Sequence, residues 1–232
     1  MPAKTKNLNA KKQVLLVDDH PMMRQGLAQL IESEPDLKVR AEADTAAGAL
    51  KAVSGGGFDL ILMDISLPDK NGLELLKDVR ALNPDVPVLV VSMHDEVIYA
   101  ERVLRAGGRG YIMKQEGGRK LLAAIRQVLA GQVYVSEKMS AKILDVFSGR
   151  RTESSGSPVE KLSDREFEVF QLIGEGRGTR DVAELLHLSV KTVEVHRAKI
   201  KQKLQLRSAT DLVHYAIRWV ESQQGASGEP PK

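Results

Sequence analysis

The chain has 232 residues, long enough for one or two domains with real cores, and its 42% hydrophobic and 28% charged content is ordinary for a globular protein. No run approaches the ~18 apolar residues a membrane helix needs, the Lys-containing N-terminus lacks a signal-peptide core, and zero cysteines exclude disulfides, thiolate catalysis and Cys-ligated metals, which fits a cytoplasmic protein. A formal net charge of +3 is too small to argue for nucleic acid by itself, so where the positive charge sits matters more.

Residues 1–12, with Lys4, Lys6, Lys11 and Lys12 among small polar residues, read as a flexible basic arm. From Gln13 to about Ala130, strand-like and helix-like segments alternate. Gln13–Val17 is the first strand candidate, followed by a helix from Pro21 to about Ser33 with Pro in its first turn. Leu37–Ala43 is the second strand, and Thr45 caps the helix that carries Ala46, Ala49, Leu50 and Val53. The run Leu60-Ile61-Leu62-Met63 has the composition of a strand buried on both faces. A loop through Asn71-Gly72 leads to a helix with Leu73, Leu75, Leu76, Val79 and Leu82. The Val88–Val91 strand, a helix from about Asp95 to Ala106, the Gly110–Met113 strand and a helix through Val128 complete five βα units. Such a pattern predicts a doubly wound five-stranded parallel α/β sheet, flavodoxin-like, over residues 13–130.

Residues 131–160 read as a joint. Ser136–Phe147 has the spacing of a short amphipathic helix, and Gly149–Pro158 has linker composition. Residues 161–222 switch to helix-only periodicity, a small all-α domain. Ser163 with Glu166 forms a capping-box signature, Gly174 and Gly176 close that helix, Gly178 or Thr179 opens the next, and Ser189 and Ser208 cap two more. Gln223–Lys232 is a polar tail.

The strand ends carry the chemistry. Asp18 and Asp19 end the first strand, Asp64 the third, Ser92 the fourth and Lys114 the fifth. In a parallel sheet these ends lie along one edge, where open α/β sheets place their sites. Each residue alone has a plainer role: a turn cap for the aspartates and Ser92, a surface lysine for Lys114, a half-buried strand aromatic for Tyr111. Together, three carboxylates repel one another unless a cation sits between them, and an oxygen-only set suits a hard ion such as Mg2+ (or Mn2+). A carboxylate can also attack phosphorus to form an acyl phosphate, with metal, ammonium and hydroxyl offsetting charge on the transferred oxygens.

Val17-Asp18-Asp19-His20, Met63-Asp64-Ile65-Ser66-Leu67-Pro68, Asn71-Gly72, Ser92, Ala106-Gly107 and Tyr111-Ile112-Met113-Lys114 resemble receiver domains of two-component response regulators. The resemblance implies that Asp64 accepts phosphate from a sensor histidine kinase. It implies that Asp19, Asp64 and the Ser66 carbonyl hold Mg2+, with Asp18 acting through bound water. Lys114 would pair with the phosphoryl group, and phosphate would draw Ser92 and Tyr111 inward as a switch. Gln115 departs from the pattern, because these domains often have Pro after the lysine.

In Val190–Leu204, helical winding gathers Val190, Val193, Ile200 and Leu204 on one arc predicted to face the core, with Arg197 near it. Lys191, Thr192, Val195 and Lys199 lie opposite, with Lys203 nearby. A basic helix with an exposed valine suits a major groove, although a solvated charged face has the same composition. Leu162-Ser163-x-Arg165-Glu166, Val182-Ala183, Leu188–Val193, Val195-His196-Arg197 and Lys203-Leu204 are similar to the LuxR-type helix-turn-helix. Receiver plus this output domain is the NarL/FixJ arrangement. That resemblance implies a regulator that binds double-stranded DNA through Lys191, Thr192, Val195, His196, Arg197, Lys199 and Lys203. His196 would touch backbone phosphate or pack within the domain. Part of the stripe Leu212, Val213, Ala216, Ile217 and Val220 would complete the small core, and the remainder would pair two copies when phosphorylated or DNA-bound. On this reading the chain is an acyl-phosphate acceptor with at most weak autophosphatase activity, without membrane partners. An aspartyl-phosphate phosphatase, or a receiver acting on protein or RNA, are the competing classes; the phosphatase would want a carboxylate where Ser66 stands.

Overall fold

The strand candidates pair in the order β2-β1-β3-β4-β5, all parallel. They are β1 (Lys12–Val17), β2 (Leu37–Ala43), β3 (Leu60–Met63), β4 (Val88–Ser92) and β5 (Gly110–Met113). The computed structural model describes residues 11–141 and 158–225, in two compact units, Met1–Met139 and Ser140–Lys232. In the first unit the chain order reverses at β1, so the carboxyl ends of β1 and β3 lie side by side, Val17 opposite Met63. Such a reversal opens a crevice beyond the strand ends.

Helices α1 (Pro21–Glu32), α2 (Ala46–Gly55), α3 (Gly72–Leu82), α4 (Glu96–Arg105) and α5 (Gly118–Leu129) make the crossovers. Their starts follow the capping residues. Thr45 Oγ1 accepts from Gly48 N–H, Asn71 Oδ1 from Leu73 N–H and Asp95 Oδ1 from Val97 N–H. Alternate strand residues Val14, Leu16, Leu60, Leu62, Leu89 and Val91 pack with Ile31, Leu121, Ile125 and Val128 in one core layer. Leu15, Ile61, Met63 and Val90, of opposite parity, are buried too. At ~1.5–3 kcal/mol per fully buried aliphatic side chain, this double-faced burial is what makes the strands near-continuous apolar runs.

Two segments differ from the sequence reading. Lys12 belongs to β1 rather than to the arm, its ammonium 2.9 Å from Asp59. Residues 131–136, which the sequence places in the joint, run along β5. Tyr111 N–H donates to Tyr134 O at 2.9 Å and Tyr134 N–H to Arg109 O at 3.0 Å. This cover gives the edge of β5 hydrogen-bond partners, which an exposed edge lacks. Gly110 permits it, since a Cβ there would sit 2.7 Å from Tyr134 O. Helical residues 137–141 follow, with Ser136 Oγ accepting from Met139 N–H. The rest of the expected Ser136–Phe147 helix, Gly149–Ser157 and most of the arm and tail fall outside the described residues.

The second unit comprises α6 (Asp164–Gly174), α7 (Thr179–Leu185), α8 (Val190–Lys203) and α9 (Ala209–Gly225). The Ser163–Glu166 capping box forms in both directions. Gly178 opens α7 and Ser189 Oγ caps α8 by accepting from Thr192 N–H. Phe167 and Phe170 of α6 meet Trp219 of α9 edge-on, centroids 5.5 and 5.6 Å apart. Gly174 lets α9 approach, because a Cβ there would lie 2.6 Å from Ala216 O.

Candidate functional site

Asp18, Asp64 and Lys114 meet at the carboxyl edge of the sheet. Lys114 Nζ lies 2.6 Å from Asp18 Oδ2 and 2.7 Å from Asp64 Oδ2, and all three side chains are almost wholly buried. Backbone N–H groups orient both carboxylates. Asp64 Oδ1 accepts from Ile65 N–H at 2.6 Å and Ser66 N–H at 3.3 Å, and Asp18 Oδ1 from His20 N–H at 2.9 Å. The loop after Asp64 is pinned at both ends. Gly72 N–H donates to Ile65 O at 2.8 Å, and Asp69 accepts from Ala46 and Ala47 N–H at the start of α2, at 2.8 and 2.9 Å. Only glycine fits at 72, where a Cβ would be 2.4 Å from Asp64 O.

Three carboxylates face one ammonium. Burial raises the Asp64 pKa, Lys114 offsets this only in part, and Asp18 adds to the rise. Burial works against the Lys114 charge, but Asp64 and Asp18 outweigh it and hold that pKa above the ordinary lysine value. The pocket is therefore short of positive charge. Asp19 Oδ1 is closed to solvent and accepts no hydrogen bond, although His20 Nδ1 is 2.7 Å away. Ligand atoms of Asp18, Asp19, His20 and Asp64 all lie within 4.8 Å of one another. An unsatisfied carboxylate oxygen in an oxygen-rich, negatively charged cluster fits a hard divalent cation. His20 is not among the ligands expected from the sequence; its position directly after Asp19 is the one signal that could have found it.

Ser92 and Tyr111 are both fully buried. Tyr111 Oη donates to His94 O at 2.8 Å, and His94 N–H donates to Ser92 Oγ at 3.3 Å. Burial raises the Tyr111 pKa far above the ordinary phenol range. The expected inward swing of Tyr111 has no exposed starting position here, since the ring already fills the core against the His94 backbone. His94 is an unforeseen member of the site: its Nε2 is 3.0 Å from Ser66 Oγ and its ring packs tilted against Tyr99, centroids 4.8 Å apart. After Lys114 the backbone makes a single 3-10 turn, Lys114–Glu116. Peptide bonds among the described residues are trans, so Gln115 is accommodated without the isomer a proline there permits.

On α8, Val193, Ile200 and the capping Leu204 are buried, while Val190 is 47% exposed and does not join the predicted core arc. It stands in the first turn, directly after the cap, where little of the domain reaches to cover it. Lys191, Val195 and Lys199 are exposed. Thr192 Oγ1 is 2.7 Å from Ser189 Oγ, inside the cap. Arg197 is largely packed, 3.8 Å from Glu194. Lys203 is held by Glu166 at 2.6 Å. His196 is half-buried with Nδ1 unpartnered, and burial, then Arg165, lower its pKa. The free basic surface of α8 is thus narrower than the sequence suggests, centred on Lys191, Val195 and Lys199.

The model of the response regulator receiver domain matches residues 14–126, and that of the luxR family of bacterial regulatory proteins matches residues 160–216. The oxygen regulatory protein NreC of Staphylococcus carnosus is 35% identical over 89% of this chain and 97% of its own length. NreC of Staphylococcus haemolyticus is 34% identical with the same coverage. A LuxR-family two-component response regulator from Aurantimonas sp. is 31% identical, covering 60% of this chain and 99% of that one, with a TM-score of 0.56. RcsB of Salmonella enterica serovar Typhimurium, solved on promoter rprA with the phosphomimetic BeF3-, covers 89% of this chain and 98% of its own with a TM-score of 0.59; at 22% identity this is a likeness of fold. Both halves are matched in the same order, and by relatives that span nearly the whole chain: it belongs to the NarL/FixJ-type two-component response regulators, receivers joined to a LuxR-type DNA-binding domain that act on transcription.

Proposed function

We propose that Asp64 takes the phosphoryl group from a phosphohistidine of a sensor kinase, and that this controls DNA binding through α8. The observation that carries the reading is Lys114 Nζ seated between Asp18 and Asp64 with the Asp19 carboxylate beside them. Backbone N–H groups hold Asp64 Oδ1 in place, and Oδ2, which Lys114 Nζ releases as it turns to the phosphoryl group, is the attacking oxygen. Its attack forms an O–P bond as the P–N bond to the kinase imidazole breaks, and the leaving imidazole takes its proton from water. Asp18, Asp19, Asp64 and the Ser66 carbonyl would hold Mg2+ or Mn2+, which when bound supplies Lewis-acid charge to the phosphoryl oxygens. Lys114 takes one further oxygen, and Ser92 donates to another.

The protein is a phosphoryl acceptor rather than a turnover enzyme, with at most slow loss of its own acyl phosphate. It acts in the cytoplasm on double-stranded DNA. Lys191 and Lys199 meet phosphates or guanine and Val195 a thymine methyl. Leu212, Ala216 and Val220 belong to the core of the second unit, and two copies pair through the half-buried remainder of the α9 stripe, Val213 and Ile217, when phosphorylated or DNA-bound. The test is incorporation of phosphate from acetyl phosphate with and without divalent cation. Wild-type protein should label only with the cation, and Asp64→Asn not at all; labelling of Asp64→Asn at the wild-type rate would refute the assignment.

A further inference from the structure

The segment that leaves the receiver is bonded to the pieces of the fold that touch the phosphorylation site. Tyr134 lies in parallel register with Gly110 and exchanges backbone hydrogen bonds with the β5 edge, its carbonyl accepting from Tyr111 N–H. Gln127 Nε2 donates to Val133 O at 2.7 Å and fixes the same segment from α5. Two residues past Tyr134, Ser136 N–H donates to Glu96 Oε1 at 2.7 Å. Glu96 is a nearly buried carboxylate in the first turn of α4. That hydrogen bond is charge-assisted, and Ser136 in turn caps the helical residues 137–141.

Both attachment points are coupled to the site by short bonded paths. Glu96 follows Ser92 by four residues, and the loop between them carries the His94 carbonyl that accepts from Tyr111 Oη and the His94 N–H that donates to Ser92 Oγ. Tyr111 contributes its phenol to that loop and its backbone N–H to Tyr134. Any displacement of Ser92 toward a phosphoryl oxygen therefore moves the residues that hold the exit segment. A buried carboxylate with one strong backbone partner is a two-position element: bonded to Ser136, or released and resolvated.

We propose that Glu96 is a coupling residue, a clasp on Ser136 that sets the start of the chain leading to the DNA-binding domain and transmits phosphorylation to it. This rests on the phosphorylation reading above and adds the route by which the signal leaves the receiver. Glu96 touches none of the reacting atoms, so its loss should spare phosphoryl acceptance while uncoupling it from DNA binding.

The experiment uses the full chain and a duplex that the wild-type protein selects from a randomised pool. Affinity is measured at fixed salt with and without beryllofluoride and Mg2+, for wild type, Glu96→Ala and Glu96→Gln, alongside phosphate incorporation from acetyl phosphate. Wild type should gain DNA affinity by a factor within the usual coupling range of about 5–150-fold. Glu96→Ala should incorporate phosphate as wild type does and show a gain near one. Glu96→Gln, whose amide oxygen still accepts from Ser136, should recover most of the gain, a rescue that mere destabilisation of α4 would not track. Amide exchange at Ser136 in the wild-type chain gives a second readout that needs no variant, and its protection should change on adding beryllofluoride. An equal gain in Glu96→Ala and wild type, or unchanged exchange at Ser136, overturns the clasp. A wild-type chain indifferent to beryllofluoride but phosphorylated on Asp64 overturns the switch itself.

Discussion

Replacing Lys114 with Met should be among the most damaging single changes in the receiver, and the damage should be reversible by a cation. The ammonium is 2.6 and 2.7 Å from two buried carboxylates, and methionine fills its volume without its charge. Removing one partner from a buried ion pair costs about 3–5 kcal/mol. For a domain of this length the loss corresponds to a fall in Tm on the order of 10 °C. Scanning calorimetry of the full chain in EDTA would measure it, while fluorescence of Trp219, the chain's one tryptophan, checks that the second unit melts unchanged. Millimolar Mg2+ should recover part of the deficit. A receiver transition within ~2 °C of wild type, or a deficit that Mg2+ leaves untouched, would refute both the charge accounting and the metal assignment.

Gly72→Ala places a Cβ 2.4 Å from Asp64 O and 2.6 Å from the Ile65 Cα; because backbone must move, a loss of about 1–3 kcal/mol should come with slower labelling by acetyl phosphate. Glu166 is nearly buried, yet Lys203 and the Ser163 N–H outweigh that burial and hold its pKa below the ordinary 4.5. Its stabilisation is thus complete above that pH and lost as pH falls through the lowered folded value. Glu166→Gln should flatten this acid decline in denaturant midpoints followed by Trp219 fluorescence. Lys191→Ala with Lys199→Ala should weaken duplex binding and reduce the slope of log K against log salt by ~0.9 for each phosphate that is no longer neutralised. Lys203→Gln should leave that slope alone and lower the stability of the second unit, and an equal fall in slope would show that its pair with Glu166 opens on DNA.

The pocket was legible because each strand ends in a residue with chemistry, and parallel pairing turns five separate strand ends into one edge. Helix starts at Thr45, Ser163 and Ser189 were legible because a cap and the N–H groups it satisfies are neighbours in sequence. What escaped were bonds between distant residues with no local pattern: Ser66 with His94, Asp69 with the start of α2, Lys203 with Glu166. The exit segment escaped for a related reason. Val133-Tyr134-Val135 is strand-like in composition but too short to announce a strand, and the room that lets Tyr134 align comes from the missing Cβ at Gly110, a property of β5. Helical angle alone puts Val190 on the core arc, and angle cannot register how little of the domain reaches the first turn of α8.

The reciprocal lock at Ser163 and Glu166 has a further meaning for how such chains are assembled. The three groups of the lock, Ser163, Glu166 and the Lys203 that secures the glutamate, all belong to the second unit. A different sensor half grafted upstream would leave this lock intact, which makes the start of the reader portable. Chimeras spliced ahead of Pro158, which keep the buried Val159 and its bond to Leu162 N–H, would be expected to retain the operator preference of this protein while answering to a new stimulus.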